Sequence, residues 1–123
     1  MSKAVEVLNK FLANTSNANV LREIIAPNAT YISLNFNNPD LTAIMPWCGT
    51  HENAGPEAVI KTFADVGWYW DILDFKPIDI FGDDTKAAVF GSFTYKSRKL
   101  QQTVTSPFSV YIRLDEKGLI EFM

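Results

Sequence analysis

The chain has 123 residues, a net charge of −3 at pH 7, 47% hydrophobic and 20% charged residues, and one cysteine and one histidine. That is the size and make-up of one globular domain, residues 1–123, long enough to bury a real core. With no basic block and an acidic balance the chain is a poor match for nucleic acid, and no apolar run approaches the ~20 residues of a membrane span.

The pattern opens on a helix. Ala4, Val5, Leu8, Phe11 and Leu12 recur at helical spacing behind a candidate cap, Ser2. The polar run at residues 14–17 ends it, and a second, short helix is predicted over residues 19–25, stopped ahead of Pro27. Residues 30–36 alternate as a strand, with Ile32 on one face and Tyr31 and Ser33 on the other. Residues 37–40 read as a turn that opens a loop reaching Met45, with Asp40 placed to swing over a pocket mouth. Pro46, Trp47, Cys48, Gly49, Thr50 and His51 follow, then Gly55-Pro56 leads into a helix over residues 56–69, with Val59, Ile60, Phe63, Val66, Gly67 and Trp70 on one face. The remainder reads as a β meander: residues 72–81, 87–97, 103–114 and 119–123, with turns at residues 82–84 and 115–118. The short basic run at residues 96–99 is a solvated hairpin tip.

Cys48 and His51 invite a nucleophile–base reading. In extended backbone, residues three apart face opposite sides, so Trp47, Gly49 and His51 share one face and Cys48 the other. A dyad would need a turn at Gly49, and Cys48 is better read as a buried small hydrophobe. One cysteine and one histidine do not make a zinc set, so neither metal nor cofactor is expected. A lone cysteine closes no internal disulfide and fits a reducing compartment, so a cytoplasmic protein is expected. His51 is the one side chain whose ordinary pKa lies near neutrality, which makes it the acid–base candidate, against a structural or surface histidine bonded to the turn before Gly55. Nine Phe, three Trp and four Tyr give either a bulky core or an aromatic-lined cavity.

The order of elements, with Pro46-Trp47-Cys48-Gly49-Thr50, then Gly55-Pro56-Glu57-Ala58-Val59-Ile60, and the strand Gly91-Ser92-Phe93-Thr94-Tyr95, resembles the NTF2-like superfamily in its SnoaL-like, ketosteroid-isomerase-related branch. The final hairpin, residues 108–114 and 118–120, is similar as well. The resemblance implies an α+β fold: an NTF2-like, cystatin-like cone of three N-terminal helices packed on a strongly curved, mostly antiparallel sheet. It implies a homodimer, and a pocket for a small apolar, oxygen-bearing molecule. His51 and Tyr31 are then the catalytic candidates. The expected lining is Trp47, Ser33, Phe63, Trp70, Val89, Phe93, Tyr95, Ser109 and Tyr111.

The ketosteroid-isomerase roles do not carry over. That chemistry uses an acidic base with a Tyr and a protonated Asp on the oxygen, and the corresponding positions fall on Ser33, Phe11 and Ser109. The SnoaL cyclases depend on a pocket Asp that the strand at residues 103–114 lacks. An epoxide-hydrolase relay would need a second carboxylate beyond Asp115 beside Arg113. Three functions therefore stand open: a His-assisted enzyme, a non-catalytic carrier of a hydrophobic ligand, and a dimeric interaction module without a functional cavity.

Overall fold

The computed structural model describes residues 2–33, 39–45 and 47–123. Helix α1, Lys3–Ala13, starts where the Ser2 hydroxyl accepts from the Val5 amide at 3.4 Å, and buries Ala4, Val7, Leu8 and Phe11 at i, i+3/i+4 spacing. Helix α2, Ala18–Ile24, is capped by the Asn17 side chain, which accepts from Val20 N at 3.3 Å. The chain turns extended at once into β1, Ile25–Ser33, because the residue before Pro27 is driven out of the helical region. The strand therefore begins five residues earlier than its alternation suggested; residues 34–36 of the expected strand lie outside the described residues.

Where a loop was expected, Pro39–Ile44 forms a short helix, α3, with proline in the first turn, where its missing N–H costs nothing. Strand β2, Gly49–His51, pairs antiparallel with β1 in the register Tyr31↔His51 and Ser33↔Gly49. Helix α4, Gly55–Tyr69, is seated on β1: Ala54 N donates to Ala29 O at 2.9 Å, and a Cβ on Gly55 would stand 2.5 Å from the Pro27 carbonyl oxygen. Gly55 also has φ +68°, so this corner needs glycine twice over. Trp70, expected on the helix, instead opens β3, Trp70–Gly82.

Strands β4 (Lys86–Ser97), β5 (Thr103–Leu114) and β6 (Ile120–Phe122) complete one curled sheet in the order β2-β1-β6-β5-β4-β3. Among the described residues only the β1–β6 pairing is parallel. The fold is thus α+β as expected, but the helices are not all N-terminal: β1 precedes α3 and β2 precedes α4, and three helices, α1, α2 and α4, carry the packing while α3 is a short addition.

The sheet's inner face holds Val89, Ile112, Leu114 and Ile120 against Leu8, Phe11, Leu21 and Val59 from the helices. Phe11 and Phe63 meet edge to face with centroids 5.8 Å apart. Strand alternation then settles two expectations. Val89 pairs with Val110 and Ala88 with Tyr111, so on β5 it is Phe108, Val110 and Ile112 that point inward. Ser109 and Tyr111 point outward, Tyr111 being 40% exposed, because period two forbids both sets from sharing a face. Val89, fully buried, belongs to the core.

Gly91 sits opposite Phe108 in the middle of the sheet, and its bare Cα leaves room for the Phe108 ring to cross β4 and stack on Phe75 at 4.7 Å. A Cβ there would collide with the Lys76 carbonyl and come within 2.7 Å of the Phe108 ring. Gly91→Ala is expected to destabilise the protein by about 1–3 kcal/mol, whereas Gly67→Ala, in α4 with nothing within 4 Å of the new methyl, should stabilise it by about 0.5–1 kcal/mol. Chemical denaturation of the two variants beside the parent measures both signs.

Candidate functional site

The β1–β2 ladder decides what can meet at this edge of the sheet. Residues directly opposite in an antiparallel pair share a face, so Tyr31 and His51 come together. Their rings stack with centroids 5.9 Å apart and an 18° interplanar angle. Two residues along β1, Ser33 points the same way and is buried, as is Tyr31. Trp47 and Cys48, just ahead of β2, are buried beside them, and the Trp47 ring lies 5.7 Å from that of Tyr69 at the end of α4.

His51 is half-buried, and its Nε2 stands 2.9 Å from the Trp47 carbonyl oxygen. A carbonyl only accepts, so Nε2 carries the proton of that bond. Burial holds the Tyr31 phenol above its usual pKa; a hydrogen bond with Ser33 acts in the other direction, and the proximity of Cys48 and Tyr95 adds to the rise. The Tyr95 phenol is likewise raised by burial. Burial pushes the Cys48 thiol up too, the opposite of what a thiolate nucleophile requires. Cys48 is therefore a wall of the site, in keeping with its reading as a small hydrophobe.

Tyr95 connects this edge to an aromatic row on the inner face. Trp70 lies 6.2 Å from Tyr95 and Phe93 4.2 Å from it, Phe93 lies 6.3 Å from Phe108, and Phe108 stacks on Phe75. The structure thus brings together Tyr31, Ser33, Trp47, His51, Trp70, Phe93 and Tyr95. It places Phe63, partly buried, on Phe11, and Val89 in the core, and it turns Ser109 and Tyr111 to the other side of the sheet. Phe75, Phe108 and Tyr69 join the cluster without having been named for it. Phe108 was legible: it precedes Val110, Ile112 and Leu114 on the same alternation.

Among the described residues no carboxylate or cation is buried; the buried polar side chains are Ser33, Thr62 and Ser97. Asp65 pairs with Lys61 at 2.7 Å along the outside of α4. Arg113 pairs with Glu121 at 3.1 Å and lies 5.1 Å over the Phe122 ring, while Asp115 accepts from Lys117 N and Leu119 N in its own turn, so no Asp-Arg-Asp relay forms there. Of the former isomerase positions, Phe11 is sealed in the core, Ser33 faces the cluster and Ser109 faces out. No group of three or more His, Cys, Asp or Glu among the described residues is placed to hold a metal ion. An open cleft of about 640 Å³ between Pro27, Asn28, Leu114 and the turn at residues 115–119 contains none of the clustered residues. No described helix is long and apolar enough to cross a membrane.

No family model matches the chain. It is 47% identical over 102 residues to a protein of Penicillium expansum named patulin biosynthesis cluster protein F, covering 83% of this chain and 51% of that protein. The chain spans about half the length of the curated relatives it matches. Among solved structures, an NTF2-like protein of unknown function from Burkholderia pseudomallei superposes with a TM-score of 0.76 at 15% identity, covering 99% of this chain and 88% of that one. A protein of ketosteroid-isomerase-like fold from Catenulispora acidiphila, in complex with trimethylamine, gives 0.69 at 13% identity, covering 95% and 81%. At these identities the likeness to solved structures is one of fold.

The raised phenols carry a testable consequence. Unfolded tyrosines ionise near pH ~10, and a folded pKa above that value means stability that is intact below it and lost as pH climbs toward the folded pKa. Unfolding free energy measured from about pH 9 to 11 should therefore fall with rising pH, and fall less steeply in Tyr31→Phe than in the parent.

Proposed function

We propose that this protein, whose fold is like that of NTF2-like, SnoaL-like and ketosteroid-isomerase-like proteins, binds a small, uncharged, oxygen-bearing molecule and moves a proton on it with His51. In this reading the ligand sits against the aromatic row on the sheet's inner face. The observation that carries the reading is the Tyr31–His51 stack with Ser33 and Tyr95 beside it: hydroxyl donors held protonated, next to an imidazole with a fixed orientation. The aromatic row from Trp70 to Phe75 offers apolar surface. An anionic ligand would meet no buried cation among the described residues, and burying an unpaired charge is costly. The likeness to proteins named for patulin biosynthesis supports a role in a biosynthetic step. A cytoplasmic setting fits the single cysteine.

Native mass spectrometry of freshly purified protein should show a bound small molecule. With that molecule or its precursor as substrate, His51→Ala should lower kcat about 10²- to 10⁴-fold, and Tyr31→Phe should lower it less. A ligand released unchanged, with binding indifferent to pH between about 5 and 8 and to His51→Ala, would instead establish a carrier.

A second copy of the chain is the partner in this reading. On the outer face Phe81 and Phe90 stack at 6.0 Å while 52% and 49% exposed, with Tyr111 and Ala88 adjoining, an aromatic patch of the kind soluble monomers seldom leave open. Sedimentation at micromolar concentration should give a dimer that Phe90→Lys dissociates; a monomeric parent chain removes the dimer.

A further inference from the structure

The backbone ahead of His51 is shaped for a purpose that the ladder alone does not require. Trp47 and His51 are four residues apart, and for the carbonyl of the first to reach the ring of the second the chain must double back between them. Gly49, the first residue of β2, lies between them with a φ of +118°, outside the range L side chains readily adopt. A Cβ at Gly49 would meet nothing within 4 Å, so close packing does not explain the glycine; the backbone angle does. The turn is held from the other side by Cys48 N donating to Met45 O at 3.0 Å.

We propose that Gly49 and the Trp47 carbonyl are positioning groups that hold His51 in the Nε2–H tautomer, leaving Nδ1 as the atom that accepts the substrate's proton. The Tyr31 ring, stacked on the imidazole, limits its rotation and keeps Nε2 on the carbonyl. In the step itself the Nδ1 lone pair takes the proton while the substrate keeps the bonding pair. The imidazolium, still bonded through Nε2–H to Trp47, then gives that same proton back to another atom of the substrate. Nothing is oxidised or reduced, and no co-reactant is consumed. The role assigned to Nδ1 rests on the proton-transfer reading above; the tautomer does not, and it is read without any ligand.

Because the chain has one histidine, the nitrogen-15 spectrum of its imidazole belongs to His51 alone. In the ligand-free protein at about pH 8–9, where an ordinary imidazole is neutral, Nε2 should appear as a protonated and Nδ1 as a lone-pair nitrogen, the two fully separated. In Gly49→Ala the two resonances should move toward each other and turnover should fall through kcat, with KM little changed. A D-alanine at position 49, installed through a ligation junction at Cys48, accepts the positive φ and should restore the parent spectrum even if Gly49→Ala proves unable to fold. Averaged nitrogens or an Nδ1–H tautomer in the parent chain would overturn the proposal. A folded Gly49→Ala with the parent spectrum would overturn it equally. Absence of a ligand in mass spectrometry would sink the functional reading and leave the tautomer result standing.

Discussion

Everything else in the molecule depends on the unbroken antiparallel register between β4 and β5, from Lys86↔Arg113 to Lys96↔Thr103. With no bulge in that ladder, period two sorts the side chains of both strands without exception. Val89, Val110 and Ile112 go to the helices, and Phe90, Ser109 and Tyr111 go to the outer surface. A slip of one residue would exchange the two sets, exposing the core and burying serines. Gly91 lies at the centre of this ladder, where the missing side chain lets Phe108 cross toward β3. Strand β3 tolerates irregularity that β4 does not. Its bulges at Leu73 and Ile78 come at the sheet edge, where an extra residue costs few contacts.

The inner face that this register creates has two zones. Toward the helices it is aliphatic and closed, with Leu8, Phe11, Leu21, Val59 and Ile112 at or near zero exposure. Toward β1, β2 and the start of β3 it becomes aromatic and hydroxylic, and the helices no longer cover it fully: Trp70, Phe93 and Tyr95 are only half-buried. The short pairing of β2 with β1 inserts the chain's one histidine into this second zone, opposite Tyr31. The imidazole and the phenols of this face thus gather at its aromatic end. The groups gathered there are neutral donors and one imidazole, a combination suited to hydrogen bonding an uncharged oxygen and shifting a proton, and poorly suited to holding an anion.

Much of this was legible in the sequence, for identifiable reasons. Helix α1 is written in the spacing of Ala4, Leu8 and Phe11, and α4 in Pro56 followed by Val59 and Phe63. The inward orientation of Tyr31 and Ser33 followed from alternation once the fold was recognised. The family resemblance put Ser109 and Tyr111 among the lining, whereas strand parity with Phe108, Val110 and Ile112 turns both outward. The loop expected before Met45 hid helix α3, since proline and asparagine signal a turn and a helix start alike. The Trp47–His51 hydrogen bond was beyond reach, because a positive φ at Gly49 leaves no mark on hydrophobic patterning.

A ligand site lined by Tyr31, Tyr95 and His51 leaves Tyr111, on the opposite face of the sheet, outside it. Fluorine NMR of fluorotyrosine-labelled protein, stripped of small molecules and then re-exposed to the molecule that co-purifies, tests it most directly. The Tyr31 and Tyr95 resonances, assigned by Tyr→Phe variants, should move together on binding while that of Tyr111 stays in place. Movement of Tyr111 with Tyr31 and Tyr95 unchanged would contradict it.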